Sequence, residues 1–133
     1  MKNKIVFSIP ELASKIISKK NRYKLSKIEE TELQKTILNQ NILISGASGS
    51  IGKFFTKKFL NYDFKKLYLL DKNENDLVEL NRDIVLLNSK KIKKIKFICT
   101  DITSFDLDDF LSNNKIHHYY NFAAVKHVRS EEY

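Results

Sequence analysis

The glycines constrain the fold of this chain more than any other feature, because all three lie within one stretch, SGASGSIG, at positions 45–52. Gly46, Gly49 and Gly52 are spaced three residues apart. An apolar run, NILIS, precedes them, and SIGKFFTKKFL, with apolar residues at helical spacing, follows. The pattern predicts a buried strand, a tight turn and a helix in direct succession, which is typical of a turn that binds phosphate groups.

A phosphate-binding turn gives each glycine a separate use. One permits the tight turn, one lets the backbone approach a pyrophosphate, and one lets the helix pack closely on the strand. The helix that begins at Ser50 offers unpaired N–H groups and a partial positive charge, and the hydroxyls of Ser48 and Ser50 can add donors. The alternative interpretation is a tight strand-to-helix turn without a ligand.

Apolar runs and helical segments continue to alternate after the glycine turn. Strands are predicted at 66–71, 95–99 and 116–124, and helices at 73–88 and 104–113. This alternation predicts an α/β fold with a parallel sheet covered by helices on both faces. We therefore expect an incomplete Rossmann-like domain over residues 41–133, truncated after about four strands.

Residues 1–40 are predicted to form a helical N-terminal segment. Ser8 precedes Pro10 in a pattern typical of a helix start, and Ser26 with Glu29 has the spacing of a capping box. Leu33 and Ile37 fall on one helical face. We expect these helices to pack on the main domain or on a partner chain.

Two aspartates follow predicted strands at the edge where the glycine turn lies. Asp71 can accept hydrogen bonds from ribose hydroxyls and would repel a 2′-phosphate, which favours NAD over NADP, while Lys72 can soften that repulsion. Asp71 can also act as the N-cap of the helix that starts near Asn73. Asp101 is expected either at the adenine end of the crevice or as an N-cap or turn residue.

Composition restricts the classes of binding partner and the cellular compartment that the chain is expected to have. The net charge of +8 admits nucleic acid or a membrane surface, but the lysines are scattered along the chain, which argues against nucleic acid. No stretch approaches the roughly 20 apolar residues of a membrane span. The one cysteine, Cys99, is predicted to be an inert core thiol. A single cysteine cannot form a disulfide within the chain, which favours a cytoplasmic location. His117 and His118 are adjacent on a strand and point to opposite faces, so no metal site is predicted.

Four segments, in this order and spacing, resemble a known family: ILISGASGSIGKFF, LYLLDKNENDLVELNRD, CTDITS and YNFAAVKHVRSEE. They resemble the polysaccharide-biosynthesis nucleotide-sugar dehydratases and epimerases, of which the UDP-N-acetylglucosamine 4,6-dehydratases are members. That family belongs to the extended short-chain dehydrogenases/reductases. The resemblance covers about residues 41–133, and the Ala-Ala-x-Lys-His-Val stretch is its most specific part.

The resemblance implies a site for NAD or NADP, with NAD favoured, and a nucleotide-sugar substrate. The residues that match the family's cofactor site are Gly46, Ser48, Gly49, Ser50, Ile51 and Gly52 at the pyrophosphate, Asp71 and Lys72 at the ribose, Asp101 and Ile102 at the adenine, and Ala123 and Ala124 beneath the dinucleotide. Lys126 and His127 match the start of the loop that faces the nicotinamide and the sugar. Two departures stand out: Ser45 replaces the usual threonine, and Arg129 replaces the usual proline.

The family's catalytic Tyr-x-x-x-Lys pair lies downstream of the stretch that resembles it. The chain contains such pairs at Tyr23–Lys27, Tyr62–Lys66 and Tyr68–Lys72, but their positions relative to the glycine turn make them chance matches. We therefore expect the NAD(P)-binding portion of a 4,6-dehydratase or epimerase that is inactive alone and can form a homo-oligomer. The alternatives are a non-catalytic dinucleotide-binding or interaction module, or a basic nucleic-acid-binding protein.

Overall fold

The computed structural model of the chain describes residues 24–124. Its elements, in chain order, are α1 (Lys27–Ile37), β1 (Asn41–Ser45), α2 (Ser50–Phe59), β2 (Lys66–Asp71), α3 (Glu74–Asn88), a 3-10 helix (Ser89–Lys94), β3 (Ile95–Cys99), α4 (Leu107–Asn113) and β4 (His118–Asn121). The predicted alternation of strands and helices is confirmed. The last helix begins later than predicted because the carboxylate of Asp106 caps it, accepting a hydrogen bond from the N–H of Asp109.

The strands form one parallel sheet in the order β3-β2-β1-β4. In register, Ile44 of β1 lies between Leu69 of β2 and Tyr120 of β4. The central strands β1 and β2 are almost entirely buried, which explains why they are continuous apolar runs rather than alternating ones. The expected Rossmann-like α/β fold is confirmed for the described part of the chain.

Helices cover the two faces of this sheet. On one face, Leu43, Tyr68 and Leu70 form a buried cluster against which Phe110 and Leu111 of α4 pack. Alternate residues point to the opposite face. There the rings of α2 meet those of β4, with the centroids of Phe55 and Tyr120 5.0 Å apart. Both faces of the sheet therefore bury apolar surface. Polar groups lie mainly where the strands begin and where they end.

The chain divides into two units after Leu33, within α1. In the first unit, the predicted capping box is confirmed: the N–H of Ser26 donates to Glu29 Oε2 at 2.7 Å, and the N–H of Glu29 donates to Ser26 Oγ at 3.3 Å. The hydrogen bond from the Ser26 N–H lowers the pKa of the Glu29 carboxyl. The helix predicted after Ser8 lies outside the described residues, and the domain boundary at residue 40 stays a prediction.

In the second unit, the end of α1 is held by a buried side chain and a paired amide. Ile37 is fully buried. The side chain of Gln34 donates to the carbonyl of Asp63 at 3.2 Å and accepts from the N–H of the same residue at 2.9 Å. The loop before β2 is thereby tied to the last turns of α1.

The prediction that Cys99 is a core thiol is wrong. Cys99 is exposed, because it ends β3, the outermost strand on that side of the sheet, and its Sγ lies 3.7 Å from the carbonyl oxygen of Lys72. His117 has a structural contact, since its Nδ1 accepts the N–H of Asn41 at 3.0 Å. Within residues 24–124, no group of three metal-ligating side chains comes together, and no helix is long and apolar enough to cross a membrane.

Candidate functional site

A cleft of about 750 Å³ opens at the carboxyl edge of the sheet, where all four strands end. It is lined by residues of the glycine turn and by residues that follow β2, β3 and β4: Gly46, Gly49, Ser50, Ile51, Gly52, Leu70, Asp71, Lys72, Thr100, Asp101, Ile102, Thr103, Phe122, Ala123 and Ala124. In open parallel sheets, ligands bind at this edge. The cleft is therefore the candidate site of the described part of the chain.

All but one of the residues predicted at the cofactor site line this cleft. The exception is Ser48, which is buried and does not border the open space. The two residues predicted at the substrate, Lys126 and His127, lie outside the described residues. The structure thus brings the predicted pyrophosphate, ribose and adenine residues around one cavity.

Four lining residues were missed by the sequence reasoning: Leu70, Thr100, Thr103 and Phe122. Each is within two residues of a predicted site residue. A signal existed for the threonines, because they flank Asp101 and Ile102 directly after a strand, and polar residues at that place border the crevice. Leu70 and Phe122 have no such signal, since an apolar residue at a strand end resembles ordinary core.

Gly46 and Gly52 are required by the packing of the protein itself. Gly46 has φ +65°, and a Cβ there would lie 2.5 Å from the backbone N of Ala123. A Cβ on Gly52 would lie 2.0 Å from the carbonyl oxygen of Gly46. These two glycines therefore bring the turn against the segment after β4 and the helix against the turn, as the tight-turn and close-packing roles predict.

Gly49 has no such requirement. Its φ of −67° and ψ of 167° suit any residue, and a Cβ there would meet only the carbonyl oxygen of Gly46, at 3.4 Å. The residue is exposed and borders the cleft. What glycine provides at this position is room on the cleft side of the turn.

The first turn of α2 presents its backbone donors without acceptors. The first helical hydrogen bond runs from the N–H of Lys53 to the carbonyl of Gly49, at 2.8 Å. The N–H groups of Ser50, Ile51 and Gly52 thus have no acceptor in the helix, and the N-cap residue, Gly49, has no side chain that could accept from them. With no acidic residue in that turn, the helix N-terminus keeps its partial positive charge for an anion.

Asp71 is held in place by the backbone on both of its carboxylate oxygens. Oδ2 accepts the N–H of Ser48 at 3.0 Å, and Oδ1 accepts the N–H of Asn73 at 3.1 Å. The alternative role of Asp71 as the N-cap of α3 is not observed, because Asn73 caps that helix by accepting from the N–H of Asp76. Asp71 therefore links the glycine turn to the end of β2 and presents a fixed negative charge to the cleft.

Asp101 forms a turn at the far side of the cleft. Its Oδ1 accepts the N–H of Thr103 at 2.9 Å and the hydroxyl of Thr103 at 2.8 Å. These two hydrogen bonds lower the pKa of the Asp101 carboxyl, and the positive charge of Lys72 lowers it further. Of the roles left open for Asp101, the turn residue is observed. Asp101 also lines the cleft, and its contact with adenine stays a prediction.

A polar clasp, formed by Ser45, Tyr119, Asn121 and Ala123, positions the floor of the cleft. The hydroxyl of Ser45, which is fully buried, donates to Asn121 Oδ1 at 2.7 Å and lies 3.0 Å from the hydroxyl of Tyr119. The same Asn121 oxygen accepts the N–H of Ala123 at 3.0 Å. Serine in place of threonine at position 45 retains the hydroxyl that this clasp needs.

The tyrosines of the described Tyr-x-x-x-Lys pairs do not border the cleft. Tyr68 is buried in β2, and its hydroxyl donates to Asn114 Oδ1 at 3.2 Å. Tyr62 lies in the loop after α2. Tyr23 is outside the described residues. Neither of the two described tyrosines is placed to exchange a proton with a ligand in the cleft.

Comparison with protein families gives a match to the family described as "Polysaccharide biosynthesis protein" over residues 42–133. Among curated proteins, the chain is 26% identical to the capsular polysaccharide biosynthesis protein CapD of Staphylococcus aureus, over 76% of the chain and 17% of that protein. It is 42% identical to an uncharacterized membrane protein of Methanocaldococcus jannaschii, over 41% of the chain and 16% of that protein. The chain thus spans only a small part of the length of both relatives.

Solved structures share the fold. Pen from Bacillus thuringiensis superimposes with a TM-score of 0.57 at 26% identity, covering 70% of this chain and 28% of that one. A structure described as a short-chain dehydrogenase from Shigella flexneri, complexed with NADP, gives a TM-score of 0.54 at 19% identity, covering 69% of this chain and 40% of that one. The described elements therefore match the N-terminal part of a short-chain dehydrogenase-like fold.

Proposed function

Because the chain belongs to the polysaccharide biosynthesis protein family, we propose that its cleft binds the pyrophosphate and adenosine of NAD or NADP, with NAD favoured. The chain would be the cofactor-binding portion of a nucleotide-sugar 4,6-dehydratase or epimerase. In such enzymes the bound dinucleotide supplies the hydride acceptor. The part that this chain's own residues contribute is binding and orientation: amides for the phosphates, a carboxylate for the ribose and small residues beneath the dinucleotide.

Gly49 is the observation that carries this proposal. The packing of the protein explains Gly46 and Gly52 whether or not a ligand binds, but it does not explain a glycine at position 49. A diphosphate that approaches the unpaired N–H groups of α2 needs the space that a Cβ on Gly49 would occupy. The turn without a ligand, which was the alternative interpretation, accounts for two of the glycines by packing and for Gly49 only by the general preference for glycine at an N-cap.

The fixed charge of Asp71 supports the preference for NAD. Both carboxylate oxygens accept backbone N–H groups, which fix the side chain at the cleft, and each oxygen retains a lone pair for ribose hydroxyls. A 2′-phosphate at the same place would meet a like charge. The exposed Lys72 is the residue that can reduce this repulsion.

Calorimetric titration of the purified chain with NAD and NADP tests the proposal. We expect saturable binding of NAD, weaker binding of NADP, and at least a tenfold loss of NAD affinity in Gly49→Val, with only a small fall in the melting temperature without ligand. Phe54→Val is the matched control, because Phe54 is exposed on the same helix and does not line the cleft. Binding of neither dinucleotide, or equal binding by Gly49→Val and the parent, would contradict the proposal.

The finer part of the proposal concerns the chemistry of the whole enzyme. A 4,6-dehydratase oxidises the sugar C4 hydroxyl, eliminates water across C5–C6 and returns the hydride, and a tyrosine paired with lysine moves the proton. We propose that this chain alone leaves UDP-N-acetylglucosamine and NAD unchanged. Mass spectrometry should show loss of water from the sugar nucleotide only after a segment that carries the Tyr-x-x-x-Lys pair is added. Turnover by the chain alone would overturn the proposed inactivity. If the chain binds NAD but the added segment does not restore loss of water, the non-catalytic module is favoured.

A further inference from the structure

The end of α3 and the 3-10 helix combine exposed leucines with lysines. Leu86 and Leu87 are 85% and 60% exposed. The 3-10 helix follows at once, with the sequence SKKIKK, and its Lys90 and Lys93 are exposed. From residue 84 to residue 100 the chain contains five lysines and no aspartate or glutamate. We name the set of Leu86, Leu87, Lys90 and Lys93 the amino-edge surface.

The 3-10 helix is fixed at the edge of the sheet that lies opposite the cleft. The ammonium of Lys94 donates to the carbonyl of Phe64 at 3.3 Å, and that of Lys91 donates to the carbonyl of Tyr62. The helix therefore lies against the loop before β2, where Lys65 ends the loop and Lys66 begins the strand, both exposed. The lysines that look scattered in the sequence are thus partly gathered where β2 and β3 begin.

Little acidic charge offsets this set of lysines. Asp63 lies 3.5 Å from the ammonium of Lys91, which is mostly buried. Asp83, on the preceding turn of α3, is paired with Lys57 at 2.7 Å, and this hydrogen bond lowers the pKa of its carboxyl. Among residues 24–124, the ammonium groups of Lys90 and Lys93 have no salt-bridge partner, which leaves their charge open to an external anion.

We propose that the amino-edge surface docks on a membrane that carries anionic headgroups. Lysines at such a surface gain from its negative potential, and exposed leucines gain by entering the boundary between headgroups and acyl chains. Nucleic acid fits less well, because it offers no apolar phase for leucine. Residues 84–96 also contain no arginine and no aromatic residue, the side chains that stack on bases.

Docking of this kind leaves the cleft open. In a parallel sheet the strands all begin at one edge and end at the other, so the membrane and the cleft would lie at opposite edges. Vesicles should therefore not change the affinity of the chain for a dinucleotide. Binding of this surface to a membrane does not require a bound dinucleotide.

Vesicle flotation of the full chain tests the inference, with neutral phosphatidylcholine vesicles and vesicles that contain phosphatidylglycerol. We expect binding only to the anionic vesicles, weakened by salt. Lys90→Gln/Lys93→Gln should lower the partition coefficient about 25-fold, at about fivefold per lysine. Lys24→Gln/Lys27→Gln removes the same charge from exposed sites at the start of α1 and should leave most of the binding intact. Leu86→Ser/Leu87→Ser should weaken binding at unchanged net charge, whereas Ile28→Ser should not.

Three results would overturn the inference. The first is no flotation with anionic vesicles, and the second is an equal loss in the two lysine pairs, which would show a response to net charge alone. The third is displacement of the chain from anionic vesicles by an RNA or DNA oligonucleotide whose phosphate concentration is lower than that of the anionic lipid. That result would assign the surface to nucleic acid. The variants change exposed side chains, and their melting temperatures confirm that the fold is kept.

Discussion

The sheet has an amino edge, where its strands begin, and a carboxyl edge, where they end. The two differ in how their hydrogen-bond donors are paired. At the amino edge, the donors of Asn41 are paired: its side-chain amide donates to the carbonyls of Asn114 and Lys115, and its backbone N–H donates to His117. Its Oδ1 has no partner among the described residues. At the carboxyl edge, the first N–H groups of α2 have no acceptor in the helix and face a cleft. The paired donors of Asn41 contribute to structure, whereas the open donors of α2 need an anion or water.

The same contrast exists inside the glycine turn, and it predicts the largest effect. Gly52→Ala should destabilise the fold by about 3 kcal/mol or more, because the new Cβ would lie 2.0 Å from a backbone oxygen. Gly49→Ala should change the free energy of unfolding by about 0.5 kcal/mol or less, because its Cβ meets one atom at ordinary contact distance. Urea denaturation of both variants measures the difference. Equal destabilisation would remove the distinction on which the ligand role of Gly49 depends.

The hydrogen bonds that Asn41 donates at the amino edge should affect stability and not ligand binding. Asn41→Ala removes two hydrogen bonds to carbonyls beside a nearly buried side chain and should cost about 2 kcal/mol in the free energy of unfolding. Thermal melting gives the loss, and calorimetry at a temperature where the variant is folded should give an unchanged dinucleotide affinity. A changed affinity would mean that the two edges are not independent.

At the carboxyl edge, the charge of Asp71 can be removed with little change in shape. Asp71→Asn should raise the affinity for NADP relative to NAD by about tenfold, since it removes a like charge beside the 2′-phosphate. The amide oxygen can still accept one backbone N–H, so the turn should keep most of its stability. Glu30→Gln, on α1, is the charge-matched control. A parallel change in both affinities would show that Asp71 supports the turn without selecting the cofactor.

The sequence predicted the parts of this molecule that repeat a period or a local rule. The bounds of β1, β2 and β3 were predicted as observed, because buried strands are continuous apolar runs, and Asn41–Ser45 is one. The residues at the glycine turn were predicted because their spacing follows from backbone chemistry. Both depend on contacts within a few residues.

What the sequence could not provide depends on contacts between distant residues. Cys99 was misplaced because its burial depends on which strand is outermost, and strand order is not encoded locally. The clasp of Ser45 with Tyr119 and Asn121 joins residues more than 70 positions apart. Scattered lysines acquire a common location only when the 3-10 helix folds back against the loop before β2.

The smallest expected effect concerns Asp101, whose lowered pKa makes a weak, exposed contribution to stability that depends on pH. Since the folded pKa lies below the unfolded value near 3.9, the contribution is present at neutral pH and is lost as the pH falls through the folded pKa. Asp101→Asn should therefore melt slightly below the parent at pH 7, and the difference should disappear at a pH below the folded pKa of Asp101. A difference that persists at that pH would mean that the hydrogen bonds to Thr103 act without the charge. If Asp101 also contacts the adenine, added NAD should increase the difference in melting temperature between the parent and Asp101→Asn at neutral pH. The parent would bind NAD more tightly and would therefore be stabilised more.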